Sequence, residues 1–424
     1  MSTLKVNKLR DTAGSTDAIT LDPNGGAVLA GVTTISTARI TTGITTSIQV
    51  GGGVTISESG IEASGIGITC ANINGTQIGG RRNLIINGDM NVAQRGTSST
   101  SQGYKTVDRF AAWFSGTDEA PTQSTFEVSA PSSPYHLPTS GAHPYKEGFR
   151  QAFGVTNGNQ TSGAGASDYV FIRYKVEAQD LANSGWDYTN SNSFITLSFW
   201  VKSSVAQNFY CRLETADGTG QNYPFETGSL SAFTWTKITK TIPGNANLTF
   251  NNDNGNGLEI HWQMFRGTDF TDNSVSNDAW AAYASGTRTK DATSTWYTTN
   301  DASFQITGVQ LEVGSQATTF EHHSFGEELN LCKRYYQEYE NLHQAGVAYQ
   351  AVTDGNGLYT PFLFQPEMRA TPTITTSGIT DGGSNASVRM SGFANNRKVT
   401  LEVYPTTTND KIWCYFDVTI DAEI

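Results

Sequence analysis

Hydrophobic and polar positions alternate with a period of two in one segment after another. Ile195-Thr-Leu-Ser-Phe-Trp-Val-Lys202 puts Ile195, Leu197, Phe199 and Val201 on one face, and Asn208–Leu213 does the same with Phe209, Cys211 and Leu213. Thr234–Pro243, Leu258–Met264 and Phe304–Val313 continue the pattern. Such alternation marks strands buried on one side. With Asn, Gly, Asp and Ser between them, these strands predict a two-sheet sandwich or jelly roll over residues 81–323. The connections Asp118–His143 and Asp269–Thr295 are longer than ordinary loops, and loops of that length are often functional.

The period changes at Phe325, Leu329, Cys332, Tyr336 and Tyr339, which recur at helical spacing behind the capping box Ser324-Phe-Gly-Glu327. This predicts a linking helix over residues 324–340. Strand patterns return beyond it, ending in Lys411–Ile420, so residues 341–424 are expected to form a small C-terminal β domain, either a tip or a trimerisation module.

Residues 1–80 differ from everything that follows. No Phe, Trp or Tyr precedes Tyr104, yet Val and Ile alternate with Thr and Ser in Gly31–Val50, Val54–Ile56 and Gly60–Thr69. Short β-branched runs of this kind favour strands but bury little surface alone. Stacking against copies from sister chains would complete the core and cover the strand edges. The expected fold is therefore mainly β: an elongated trimeric β stem, a jelly-roll-like β-sandwich, one linking α-helix and a small C-terminal β domain.

Composition narrows the function. A net charge of −12 with 16% charged residues argues against nucleic-acid binding, which needs a basic surface to displace counterions. No apolar run approaches the length that spans a bilayer, and the opening Met1–Asp11 has no apolar signal region. Neither membrane insertion nor export is expected, and synthesis is expected in the cytoplasm. Cys70, Cys211, Cys332 and Cys414 lie in four different regions without CxxC spacing, which suits free thiols.

The chain has no GxSxG, Walker loop, HExxH or CxxC motif, and neither an enzyme nor a cofactor is expected. Asn251-Asn-Asp-Asn-Gly-Asn-Gly257 resembles an oxygen-rich calcium loop, with Asp253 as the candidate ligand, but no Glu stands at the distal bidentate position. A turn explains the segment better. Aromatic residues beside Asn, Asp and Thr are the remaining candidates for ligand contact. Trp186, Tyr188, Tyr223, Trp280, Tyr283, Trp296 and Tyr297 could stack on sugar rings while neighbouring polar groups bond hydroxyls.

Arg82-Asn-Leu-Ile-Ile-Asn-Gly-Asp-Met-Asn-Val-Ala-Gln-Arg-Gly96 with Tyr104–Phe110 resembles the opening of a globular domain found in tail fibres of tailed bacteriophages. Thr307–Glu321 and Phe325–Tyr336 are similar to that domain's closing strand and following helix. Ser2–Arg10 resembles the openings of fibres from marine cyanobacterial phages, and the central domain is similar to carbohydrate-binding jelly rolls. The resemblance implies a homotrimer located in the virion tail. Its N-terminus would be held by tail or adaptor proteins, with Leu4, Val6 and Leu9 as attachment candidates, and its distal domains would meet host surface polysaccharide. Two other readings fit a fibre: a purely structural head, collar or tail part without a receptor, and a polysaccharide-depolymerising tailspike using a carboxylate pair.

Overall fold

The computed structural model describes residues 81–130, 142–347, 358–381, 386–390, 394–405 and 411–424, together with short strands between residues 8 and 77. The chain divides into two compact units, Met1–Cys70 and Ala71–Ile424. In the first, Lys8–Arg10, Asp17–Leu21 and Ala27–Leu29 form one antiparallel three-stranded sheet; Ser47–Val50, Val54–Ser57 and Gly60–Ala63 form another. The β-branched runs thus pair with their neighbours in sequence. Leu9 stands opposite Ile19, while Leu4 and Val6 lie outside the described residues.

The second unit carries the expected sandwich. Its strands are β1 (Phe110–Ser115), β2 (Thr122–Glu127), β3 (Gln151–Thr156), β4 (Tyr169–Glu177), β5 (Phe194–Ser203), β6 (Asn208–Thr215), β7 (Gln221–Ser229), β8 (Thr236–Pro243), β9 (Asn256–Arg266) and β10 (Ser303–Val313). One antiparallel sheet runs β1-β4-β9-β6-β7 and ends on the short strand Ala281–Ala282. The other runs β8-β5-β10-β3-β2 and ends on Ser98–Ser99. The alternation seen in the sequence places Ile195, Leu197, Phe199, Val201, Phe209, Cys211 and Leu213 in one continuous core with Leu258, Ile260, Trp262 and Met264. Burying such side chains contributes about 1.5–3 kcal/mol each, which makes this core the main stabilising element.

The segment Arg82–Gly96 is framework. Asn83 accepts from the Leu311 N–H at 3.0 Å and donates to the Val309 carbonyl at 3.2 Å, and the Val309 N–H donates to the Gly88 carbonyl at 2.9 Å. The Glu321 carboxylate accepts from the backbone N–H groups of Arg82 and Asn83 at 2.8 and 2.7 Å. Asn87, at φ 61°, binds the Val92 and Asp108 carbonyls through its amide, and its own N–H meets Glu328. The two sequence blocks that bracket the domain are therefore stitched together by polar side chains.

The capping box forms as expected, but the helix it opens covers only Phe325–Cys332. The predicted helix over 324–340 is corrected by strand β11 (Tyr336–Val347), which carries Tyr336 and Tyr339. Pairing with β16 (Lys411–Asp421) overrides the local period, because cross-strand bonds run almost the whole length of β11. The remaining strands are β12 (Leu358–Leu363), β13 (Thr373–Thr380), β14 (Ala386–Met390) and β15 (Lys398–Pro405). They give two small sheets, β11-β16-β13 and β12-β15-β14, around a separate core containing Val399, Leu401, Val403, Phe416 and Val418. Cys211, Cys332 and Cys414 are buried free thiols, and Cys70 lies outside the described residues. Among the described residues no helix is long and apolar enough to cross a membrane.

Candidate functional site

A strand that sends alternate residues into a core sends the others to the opposite face. In the sheet β1-β4-β9-β6-β7 those others are strongly polar. Register places Arg212 of β6 opposite His261 of β9, and Glu214 opposite Glu259; Arg173 of β4 lies opposite His261 on the other side. The long connection after β9 folds over this face. It is held by the Asp269 N–H to the Ala166 carbonyl at 3.0 Å, the Tyr283 N–H to the Gly220 carbonyl at 2.8 Å, and the Arg288 N–H to the Phe270 carbonyl at 3.0 Å. The result is an open cup of about 440 Å³. Its floor is the strand residues Tyr169, Phe171, Arg173, Arg212, Glu214, Glu259, His261 and Arg266, and its walls are Phe270, Tyr283 and Arg288 from the connection.

The floor is a charge network. Glu214 pairs with Arg212, and Glu259 receives Lys175 at 3.2 Å, His261 at 2.8 Å and Arg173 at 3.8 Å. Burial alone would raise the Glu259 carboxyl. The hydrogen bond from His261 and the charges of Lys175 and Arg173 outweigh it and hold the group well below the ordinary carboxylate range. Burial, with Arg212 alongside, pushes the His261 imidazole well below its usual value, so it is neutral and donates a ring N–H to Glu259. The His261 ring also stacks on Phe171, centres 5.0 Å apart.

Ligand atoms of Glu214, Glu259 and His261 lie within 4.8 Å of one another, close enough to share a metal ion. Arg173, Lys175 and Arg212 already supply their positive partners, and these cations would repel a divalent ion. The geometry fits a self-neutralised floor better than a metal centre.

The aromatic candidates separate into two groups. Trp186, Tyr223, Trp296 and Tyr297 are core residues, which corrects their expected exposure. Their polar neighbours serve the fold: Trp296 donates to the Ser303 carbonyl at 3.2 Å, and the Tyr297 hydroxyl reaches Gly116 and Asp168. Tyr188 is half-buried with its ring 5.0 Å from Phe250, and Trp280 is pinned by a 2.7 Å bond to the Pro243 carbonyl. Tyr283 alone of the seven lines the cup. The polar positions of the alternating strands, Arg212, Glu214, Glu259 and His261, carried the signal for the rest.

Asp253 belongs to a docking turn. Its carboxylate accepts from Gly255 at 2.9 Å and its carbonyl from Gln179 at 2.8 Å, while neighbouring Asn254 bonds Arg369 of the C-terminal domain.

No protein-family model matches the chain, and no curated protein matches it. Solved structures similar to it include the enzymatically active domain of bacteriophage CBA120 tailspike protein 4, at 9% identity and a TM-score of 0.26, covering 55% of this chain and 21% of that one. The N-terminal cellulose-binding domain of β-1,4-glucanase C from Cellulomonas fimi matches at 10% identity and a TM-score of 0.24, covering 54% of this chain and 99% of that one. A family 11 carbohydrate-binding module of a Clostridium thermocellum cellulosomal cellulase matches at 14% and 0.23, covering 53% and 98%. Likeness at this level bears on neither ligand nor activity.

Proposed function

We propose that this chain is a non-enzymatic, homotrimeric fibre protein of a tailed bacteriophage, that it attaches to host surface glycan, and that the cup on the β4-β9-β6 face makes the contact. The observation that carries the reading is the combination of aromatic walls with a fixed polar floor in an open cup on a rigid sheet. Aromatic rings suit the apolar faces of pyranoses, and preorganised charged groups suit their hydroxyls. The fibre assignment draws on the sequence resemblance of residues 82–110 and 307–336, with the N-terminal strands as the virion-proximal stem.

Purified full-length chain should bind a panel of bacterial surface polysaccharides. Tyr283→Ala, which removes a half-exposed wall ring, should weaken that binding roughly ten-fold while leaving the thermal midpoint nearly unchanged. Binding that survives both Tyr283→Ala and Phe270→Ala places the contact elsewhere. Sedimentation equilibrium should return three times the chain mass; a monomer removes the trimer. A depolymerase reading has one observation in its favour, the close approach of Glu214 and Glu259. Glycosidase chemistry needs one protonated carboxyl beside one ionised carboxylate, whereas Glu259 is held ionised and Glu214 is paired with the Arg212 guanidinium, which leaves neither placed as the acid. Release of reducing ends from a bound polysaccharide would revive it.

A further inference from the structure

Charges in the cup do not cancel. Its two carboxylates are both engaged, Glu214 by Arg212, and Glu259 by His261, Lys175 and Arg173. Two further guanidiniums remain. Arg266 is only 2% exposed, and its Nε–H donates to a neutral acceptor, the Gln263 side-chain oxygen, at 3.0 Å. The Arg288 Nε–H donates to the Tyr283 hydroxyl at 3.0 Å. Among the described residues no carboxylate lies within ion-pair distance of either. Both guanidinium carbons lie over the Phe270 ring, 5.5 and 4.8 Å from its centre, so they face one region of the cup. Stacking of Arg266 over Phe171 at 4.6 Å orients the group without neutralising it.

Hydrogen-bond donors are also in surplus. Arg173 Nε, Arg212 Nε and Gln263 Nε2 are buried on this face and have no acceptor among the protein groups. A buried cation without a counter-ion, beside donors without acceptors, is costly unless something else supplies charge and oxygen. Burial, with Arg212 and Arg288 alongside, drives the Arg266 pKa well below its usual value, which is the same electrostatic demand seen from the protein side. The whole chain carries a charge of −12, so this positive site is local.

We propose that the cup takes an acidic sugar, with the ligand's anionic group received by Arg266 and Arg288 and its ring lying against Phe270 and Tyr283. The inference rests on the glycan-binding reading of the cup. A carboxylate matches the guanidinium fork with two parallel bonds, and a sulfate ester offers similar oxygens, so a uronate and a sulfated sugar share the required chemistry.

Calorimetric titration of the full chain with an oligogalacturonate, a sulfated galactan oligosaccharide and a neutral mixed-linkage gluco-oligosaccharide decides the matter. At least one acidic probe should bind roughly ten-fold or more tightly than the neutral one, with affinity falling as sodium chloride is raised. The tighter of the two acidic probes identifies carboxylate or sulfate as the preferred group. Arg288→Gln, at a half-buried position, should reduce acidic binding roughly ten-fold and shrink the ratio of acidic to neutral affinity; Arg266→Gln should reduce acidic binding further. Thermal unfolding reports whether Arg266→Gln folds, and if it does not, the Arg288 variant and the salt series carry the test. Equal binding of neutral and acidic probes, unmoved by Arg288→Gln, overturns the acidic preference and leaves the glycan reading standing. Binding of none of the three, nor of any polysaccharide in the wider panel, removes both.

Discussion

At the scale of single residues, the cup floor turns on Glu259. It is the one carboxylate shared by Lys175, Arg173 and His261, so its removal leaves three groups facing each other without a negative charge. Glu259→Gln should cost about 2 kcal/mol at neutral pH, the scale of a hydrogen bond to a charged group. The pH dependence has a definite sign. The folded-state carboxyl lies below its ordinary value of 4.5, so its contribution is complete above that value and is lost as pH falls further. Denaturant unfolding of wild type and Glu259→Gln should therefore differ most at neutral pH and converge as the buffer is taken below about pH 4. A difference that stays constant from pH 7 to pH 3 would mean that Glu259 acts by shape alone.

At the scale of elements, the strands were legible because alternation alone determines which residues face a core; every hydrophobic position quoted from Ile195–Val201 and Phe209–Leu213 is buried. The helix was over-extended for a physical reason. Tyr336 and Tyr339 follow Cys332 at a spacing that suits a helix, yet their strand partners Asp421 and Val418 lie 85 and 79 residues further along the chain and leave no local trace. The cup was illegible for a related reason. Arg173, Arg212, Glu259 and Arg288 come from three strands and a loop, and only register brings them together. The long connection beginning at Asp269, marked by its length, lines the cup, although its aromatic positions there, Phe270 and Tyr283, were overshadowed by tryptophans that serve the core. The Arg82–Gly96 segment supplies an element-scale test. A Cβ on Gly88 would stand 2.1 Å from the Val309 carbonyl oxygen, a contact that only displacement of the segment from β10 can relieve. Gly88→Ala should destabilise the sandwich by about 1–3 kcal/mol, measured by denaturant unfolding, whereas Gly96→Ala meets no atom and pays only for its positive φ.

At the scale of the whole second unit, the sandwich and the C-terminal domain are joined by the last residues of the chain. Arg109 is 1% exposed and held at φ 72°; its guanidinium meets the Glu423 carboxylate, donates to the Lys175 carbonyl at 2.8 Å and lies 3.4 Å from the centre of the Tyr335 ring. Arg95 stacks over Tyr336 at 3.7 Å and pairs with Asp421 at 3.4 Å and Glu423 at 3.3 Å. The Ala422 N–H donates to the Tyr335 carbonyl at 2.8 Å, and Arg369 closes the same segment through the Ala422 carbonyl at 2.7 Å. Arg109 therefore depends on the Glu423 carboxylate alone, whereas Arg95 shares it with Asp421. Glu423→Ala should cost about 3–5 kcal/mol, because it leaves Arg109 without a negative partner in a dry site beside the positive Arg95. Removing the exposed pair Arg397–Glu367 by Arg397→Ala should cost less than about 1 kcal/mol. The loss at Glu423 falls on the junction, since each domain keeps its own core. Scanning calorimetry should then resolve two transitions in Glu423→Ala, the smaller C-terminal domain melting first, where the intact chain melts both domains together. A single unshifted transition in that variant would show that the strand-to-turn contacts, and not the arginine clasp, hold the two domains as one.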